Sequence, residues 1–135
     1  MDNLTLEERR RCMRSVRRTR TRDEERVAAI LDGLGLSYAW GTTRLPGTPD
    51  FVLARRRTAV FVHGCFWHGH DCARGARVPK QNRDYWLGKV GRNRERDAAS
   101  RAALEADGWR VETVWECELK DAHSLTARLE QLLAG

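Results

Sequence analysis

Lysine is scarce in this chain: of 25 basic residues, three are lysine and 22 are arginine. Proline occurs only three times, no segment repeats, and no apolar run reaches the roughly 18 residues that would cross a bilayer. These absences exclude a proline-rich linker, a solenoid and a membrane-spanning helix. The start of the chain lacks the apolar stretch of a secretory leader, so its four cysteines are expected as thiols or metal ligands in a reducing cytoplasm rather than as a disulfide framework.

What is present is charge of one sign and a dense knot of ligating side chains. The formal charge is +6 over 135 residues. Arginine grips phosphate oxygens in a fork and stacks on bases, so nucleic acid is the expected partner, although arginine-favouring codons would produce the same bias. The length fits one domain with a real core.

The knot is His63-Gly64-Cys65-Phe66-Trp67-His68-Gly69-His70-Asp71-Cys72, which holds three of the four histidines and two of the four cysteines. Cys65, His70 and Cys72, with Cys117 as the natural fourth, make a Cys3His set suited to a structural, closed zinc site. His63 and His68 are then left over on a loop stiffened by the metal, which is how a proton-transferring group should be mounted. The plainer alternative is that the cysteines are small buried hydrophobes and the histidines satisfied surface groups.

Taken in order, Thr5 to Arg18 opens with a Thr5-x-x-Glu8 capping box and is expected to be helical. Residues 1–22 are expected to form a basic DNA-contacting arm in which Arg14 and Arg17 bind DNA and Met13 and Val16 are the apolar residues available to probe a groove; a merely solvated charged arm is the alternative. Residues 23–135 form the remaining domain. Val27, Ile30, Leu31 and Leu34 mark an amphipathic helix from Asp23 to Leu34, with Glu24 on its inward edge unless it only complements the helix dipole.

Ser37–Trp40, Phe51–Ala54 and Thr58–Val62 read as strands, and antiparallel pairing across the Arg55-Arg56-Arg57 turn would bring Asp50 beside Val62 and His63. A helical region from about Asn82 to Asp107, with a break expected near Gly88 and Gly91, carries Tyr85 and Trp86 among basic residues. Such a mixture suits stacking on bases, or else Trp86 anchors the helix to the core. Trp109 to Trp115 is a further strand and Ser124 to Leu133 a final helix. The expected fold is α/β: one small mixed sheet flanked by helices. Asp50, Glu24, strand-end carbonyls and two imidazoles would suit Mg2+ and proton transfer, the requirements of phosphodiester hydrolysis.

Leu45-Pro46-Gly47-x-Pro49-Asp50, His63-Gly64-Cys65-Phe66-Trp67-His68-Gly69-His70-x-Cys72, Tyr85-Trp86 and Gly108-Trp109-Arg110-Val111 with Val114-Trp115-Glu116-Cys117 resemble the very short patch repair (Vsr) DNA mismatch endonucleases over nearly the whole chain. The resemblance implies a fold related to the PD-(D/E)xK restriction endonucleases, and a nick 5′ to the mispaired thymine of a T:G mismatch in double-stranded DNA. It implies Asp50 as Mg2+ ligand, His68 as general base, His63 in support and Glu24 behind them. Cys65, His70, Cys72 and Cys117 match the structural zinc ligands; Phe66, Trp67 and Trp86 match wedging aromatics, and Met13 matches an arm residue entering from the opposite groove. Phe61-Val62-His63 stands where the restriction enzymes carry Glu-x-Lys, so one metal-binding carboxylate is absent; some relatives carry threonine where Val62 stands, and the Val62 backbone carbonyl is the expected further Mg2+ ligand, the alternative being that a hydroxyl is needed there.

A monomer suits an asymmetric lesion, a mismatch-repair protein partner would follow from the resemblance alone, and a cytoplasmic, nucleoid-associated location is expected. The competing readings are a zinc-stabilised DNA-binding module without catalysis, and a related nuclease with another mismatch or site specificity.

Overall fold

The computed structural model describes residues 20–41, 45–73 and 75–133. The expected first helix and the positions Met13, Arg14 and Arg17 lie outside them.

Thr21 starts helix α1, Arg22–Gly33, through a capping box: its side chain accepts from the Glu24 amide while the Glu24 carboxylate accepts from the Thr21 amide. Val27, Ala28 and Leu31 are buried on one face of α1. Strands β1 (Ala39–Trp40), β2 (Phe51–Leu53), β3 (Thr58–His63) and β4 (Arg110–Trp115) form one sheet in that order. The first two pairings are antiparallel and the β3–β4 pairing is parallel, as expected of strands joined by a crossover through a helix. That helix, α2, runs unbroken from Arg83 to Ala106, and α3 spans Ala122–Leu133 after a 3-10 turn at Glu116–Asp121.

The expected break at Gly88 and Gly91 does not occur. Two glycines cost about 1 kcal/mol each in a helix interior, and the other residues of this 24-residue helix carry that cost.

Alternation along the sheet sets its two faces. Phe51, Leu53, Val60 and Val114 pack with Val27, Leu31, Leu125, Leu129 and Leu133, so α1 and α3 cover one face. Ala59, Phe61 and Val111 pack with Leu104 of α2 on the other. Each fully buried leucine, valine or phenylalanine contributes about 1.5–3 kcal/mol. The period of two continues past the apolar residues: His63 follows Ala59 and Phe61, and Trp115 follows Val111, toward the α2 side, and the register pairs His63 with Trp115. The hydrophobic pattern that fixes the register thus also decides which face receives the imidazole.

Candidate active site and metal centre

The expected pairing of β2 with β3 is present, with Phe51 opposite Val60. It carries the preceding residue, Asp50, to the far end of β3, where its Oδ2 accepts from the Val62 amide at 2.7 Å. The adjacent residue is His63, buried at 8% exposure. Its ring stacks on that of His68, centroids 3.7 Å apart and planes 4° from parallel. Burial first, then the neighbouring His68 ring, push the His63 imidazole down to about 4, so this ring is neutral near pH 7. The Nδ1 atom of His63 is buried without a hydrogen-bond partner among the described residues.

The carboxylate that reaches the imidazole pair belongs to Asp97 of α2. Its Oδ2 lies 2.6 Å from His68 Nδ1, and ligand atoms of His63, His68 and Asp97 all fall within 4.8 Å of one another. An ionised carboxylate only accepts, so in this contact Nδ1 of His68 is the donor, and Nε2 is not engaged by it. Sequence reasoning missed Asp97. The signal was available: Val90, Asp97 and Leu104 stand seven residues apart, Leu104 is fully buried, and a carboxylate on such a stripe needs a partner. The two rings and Asp97 open on a cavity of about 390 Å³, lined also by Phe61, Thr113 and Trp115 and by the guanidinium-bearing Arg94 and Arg101.

Glu24 is buried, as its place on the inward edge of α1 implied, but its carboxylate accepts from the Thr21 amide at 3.1 Å and from Trp40 Nε1 at 2.9 Å. Just past that strand the Gly41 amide donates to the Asp50 carbonyl at 3.3 Å, which links Glu24 to the Asp50 neighbourhood through the backbone.

The Cys3His set converges. Ligand atoms of Cys65, His70, Cys72 and Cys117 lie within 4.8 Å of one another. Four donors about 2.3 Å from one tetrahedral ion sit about 3.8 Å apart, so the spacing and the soft donors fit zinc. The His70 Nδ1 faces Cys117 Sγ at 3.6 Å, while the exposed Asp71 carboxylate lies 3.8 Å from its Nε2, beyond hydrogen-bond distance. Cys65 is wholly buried, and burial pushes its thiol up to about 12, so a bound cation must displace that proton to gain the thiolate. Gly75 closes the loop on itself: a Cβ there would run into the His70 carbonyl.

Phe66, Trp67 and Trp86 form an edge-to-face cluster with centroids 5.1 to 6.0 Å apart, extended by Tyr85. Trp67 and Tyr85 are exposed at 45% and 55%. The Trp67 carbonyl is held by Asn93 Nδ2 at 2.7 Å and its ring lies 5.4 Å from Lys89 Nζ. The indole of Trp86 therefore belongs to a surface cluster rather than to either hydrophobic core.

A family model described as DNA mismatch endonuclease Vsr matches residues 1–74. The type II nicking enzyme V.XorIIP of Xanthomonas oryzae pv. oryzae is 48% identical over 132 residues, covering 98% of this chain and 96% of the relative. The DNA mismatch endonuclease Vsr of Escherichia coli K12 is 41% identical over 128 residues, covering 91% and 81%. The type II nicking enzyme V.NmeAIP of Neisseria meningitidis is 40% identical over 132 residues, covering 98% and 94%.

Proposed function

Because the chain belongs to the Vsr family of DNA mismatch endonucleases, we propose that it nicks one strand of double-stranded DNA on the 5′ side of the mispaired thymine in a T:G mismatch, by Mg2+-dependent hydrolysis of the phosphodiester. The observation that carries this reading is the His63–His68 stack backed by Asp97, one residue beyond the amide that Asp50 grips.

Asp50 and the Val62 carbonyl offer the hard oxygen donors that Mg2+ takes, and they would hold it at the end of β3. When bound there, the ion neutralises the scissile phosphate and stabilises charge on the attacking and leaving oxygens. The chain's own groups move the proton. His68, its Nδ1–H directed to Asp97, accepts a proton from water at Nε2, and Asp97 stabilises the imidazolium that results. His63 stays neutral because it is buried and stacked, so it orients His68 without adding a competing charge. Glu24 acts behind the site, through Trp40 and the backbone beside Asp50.

Cys65, His70, Cys72 and Cys117 would hold a structural zinc that stiffens the loop, and a site filled by four protein ligands would take no part in the chemistry. Phe66, Trp67 and Trp86 enter the duplex beside the mismatch, where unstacking costs least because pairing is already poor. Met13, Arg14 and Arg17 belong to the arm, residues 1–22, that grips the duplex from the other side; residues 23–135 are the endonuclease domain, which acts as a monomer on an asymmetric lesion.

The deciding assay compares strand scission of a T:G duplex with that of its matched duplex in Mg2+. Wild type is expected to nick the first only, and Asp50→Ala to bind it without nicking. Equal cutting of both would overturn mismatch specificity in favour of a broader nicking enzyme; no cutting of either would overturn the nuclease reading.

A further inference from the structure

The two ligating groups of the site, the Cys3His cluster and the imidazole pair, are separated by one side chain. Trp115 lies parallel to His70, ring centroids 4.2 Å apart and planes 16° apart. It is also edge-on to His63 at 5.3 Å and to His68 at 6.4 Å. Among the described residues no other aromatic ring meets both groups.

Trp115 is no core filler. It packs with neither hydrophobic cluster of the domain; its ring neighbours are the three imidazoles. Its backbone is doubly fixed, by the parallel register opposite His63 and by an amide that donates to Glu118 Oε1 at 2.9 Å. It stands two residues before Cys117, so filling the cluster restrains the strand end that carries the indole.

We propose that Trp115 is a positioning residue: its indole, stacked on the His70 ring of the metal cluster, sets the orientation of the His63–His68 imidazole pair, so that filling the cluster orders the pair. This inference rests on the reading of His68 and His63 as the proton-moving groups. The physical argument is one of rigid contacts. A ligating imidazole cannot rotate, a ring stacked on it at van der Waals distance cannot tilt, and the edge of that ring limits the angle at which the parallel pair can stand. His68 is then held from two sides, by Trp115 and by the Asp97 carboxylate.

The test uses the full chain with Trp115→Leu and Trp115→Phe, and reads three things: zinc per chain by native mass spectrometry, kcat and KM for nicking, and the imidazole resonances of 15N-histidine protein. The Leu variant is expected to keep one zinc and a KM within about twofold of wild type, while kcat falls about 10- to 100-fold, the loss that follows from a misplacement near 1 Å. The His63 and His68 resonances should move and that of the exposed His123 should not; Phe should restore most of both readouts. Unchanged His63 and His68 resonances, or a wild-type kcat, in the Leu variant would overturn the proposal. If the Leu variant does not fold, stripping zinc from wild type decides: the His63 and His68 resonances must shift while that of His123 stays, and unmoved His63 and His68 resonances on zinc loss would overturn the proposal. A wild type that nicks no duplex would sink the nuclease reading but leave the resonance measurement to judge the indole.

Discussion

One loop feeds two ring clusters of opposite character. His63, His68, His70 and Trp115 stack or abut in a half-buried group locked between Asp97 and the Cys3His set. Phe66, Trp67, Trp86 and Tyr85 meet only edge to face, and two of the four are about half exposed. In the first group His68 Nδ1 meets the Asp97 carboxylate and His70 Nδ1 faces the Cys117 thiol, and His63, whose Nδ1 has no partner among the described residues, is held by stacking on His68. The second has large apolar faces still open to solvent, so its stacking partners are still to come. Residues adjacent in sequence, Trp67 and His68, fall on opposite sides of this divide because the loop turns between Phe66 and Gly69, where the Gly69 amide donates to the Phe66 carbonyl. One loop thus starts both a locked ring cluster and an open one from neighbouring residues.

The comparison can be broken from either side. The largest effect is expected at the locked cluster. Asp97→Asn should cut kcat by about 10²-fold or more while leaving KM near wild type, since the amide no longer stabilises the imidazolium of His68; a single-turnover nicking assay reads it, and an unchanged kcat would remove Asp97 from the proton path. At the open cluster, Trp67→Ala should act on binding. Loss of one base-stacking ring is worth about 1–3 kcal/mol, so affinity for the T:G duplex should fall about tenfold or more, with zinc content and thermal stability unchanged; competition against matched duplex then shows whether mismatch preference falls with it. The smallest effect concerns stability. His63 has an ordinary value of 6.5 when unfolded and about 4 in the fold, so the unfolded chain binds the extra proton first. Stability from this group is complete above pH 6.5 and is lost as pH falls toward 4. The Tm difference between wild type and His63→Gln should therefore shrink across that window, and a constant difference would mean that the ring is not held neutral.

Much of this was legible in the sequence, for physical reasons that differ by element. The β2–β3 hairpin was readable because a three-arginine turn joins two short apolar runs, and its register then had to place Asp50 beside Val62. The Cys65, His70, Cys72 and Cys117 set was readable because three ligating side chains crowd eight residues of one loop and the next strand ends two residues before a fourth. Glu24 was only half readable. Its inward position followed from helical periodicity, but its partner Trp40 lies sixteen residues away on a strand of only two residues. Asp97 was hidden by its neighbours Arg94, Glu95 and Arg96, which give α2 the composition of a solvated helix and mask the sparse stripe that faces the sheet.

The unbroken helix α2 has one more consequence. Trp86 meets Trp67 and Asp97 meets His68, and the two helix positions are eleven residues apart, which is about three full turns and about 16 Å of rise on nearly the same face. The rod therefore sets a fixed spacing between the aromatic cluster and the imidazole pair, which under the proposed function are where a duplex would be pried open and where its backbone would be cut. Adding or deleting a single residue between those positions would swing one end by about 100°, so the spacing itself, and not only the residues at its two ends, is part of what this molecule must preserve.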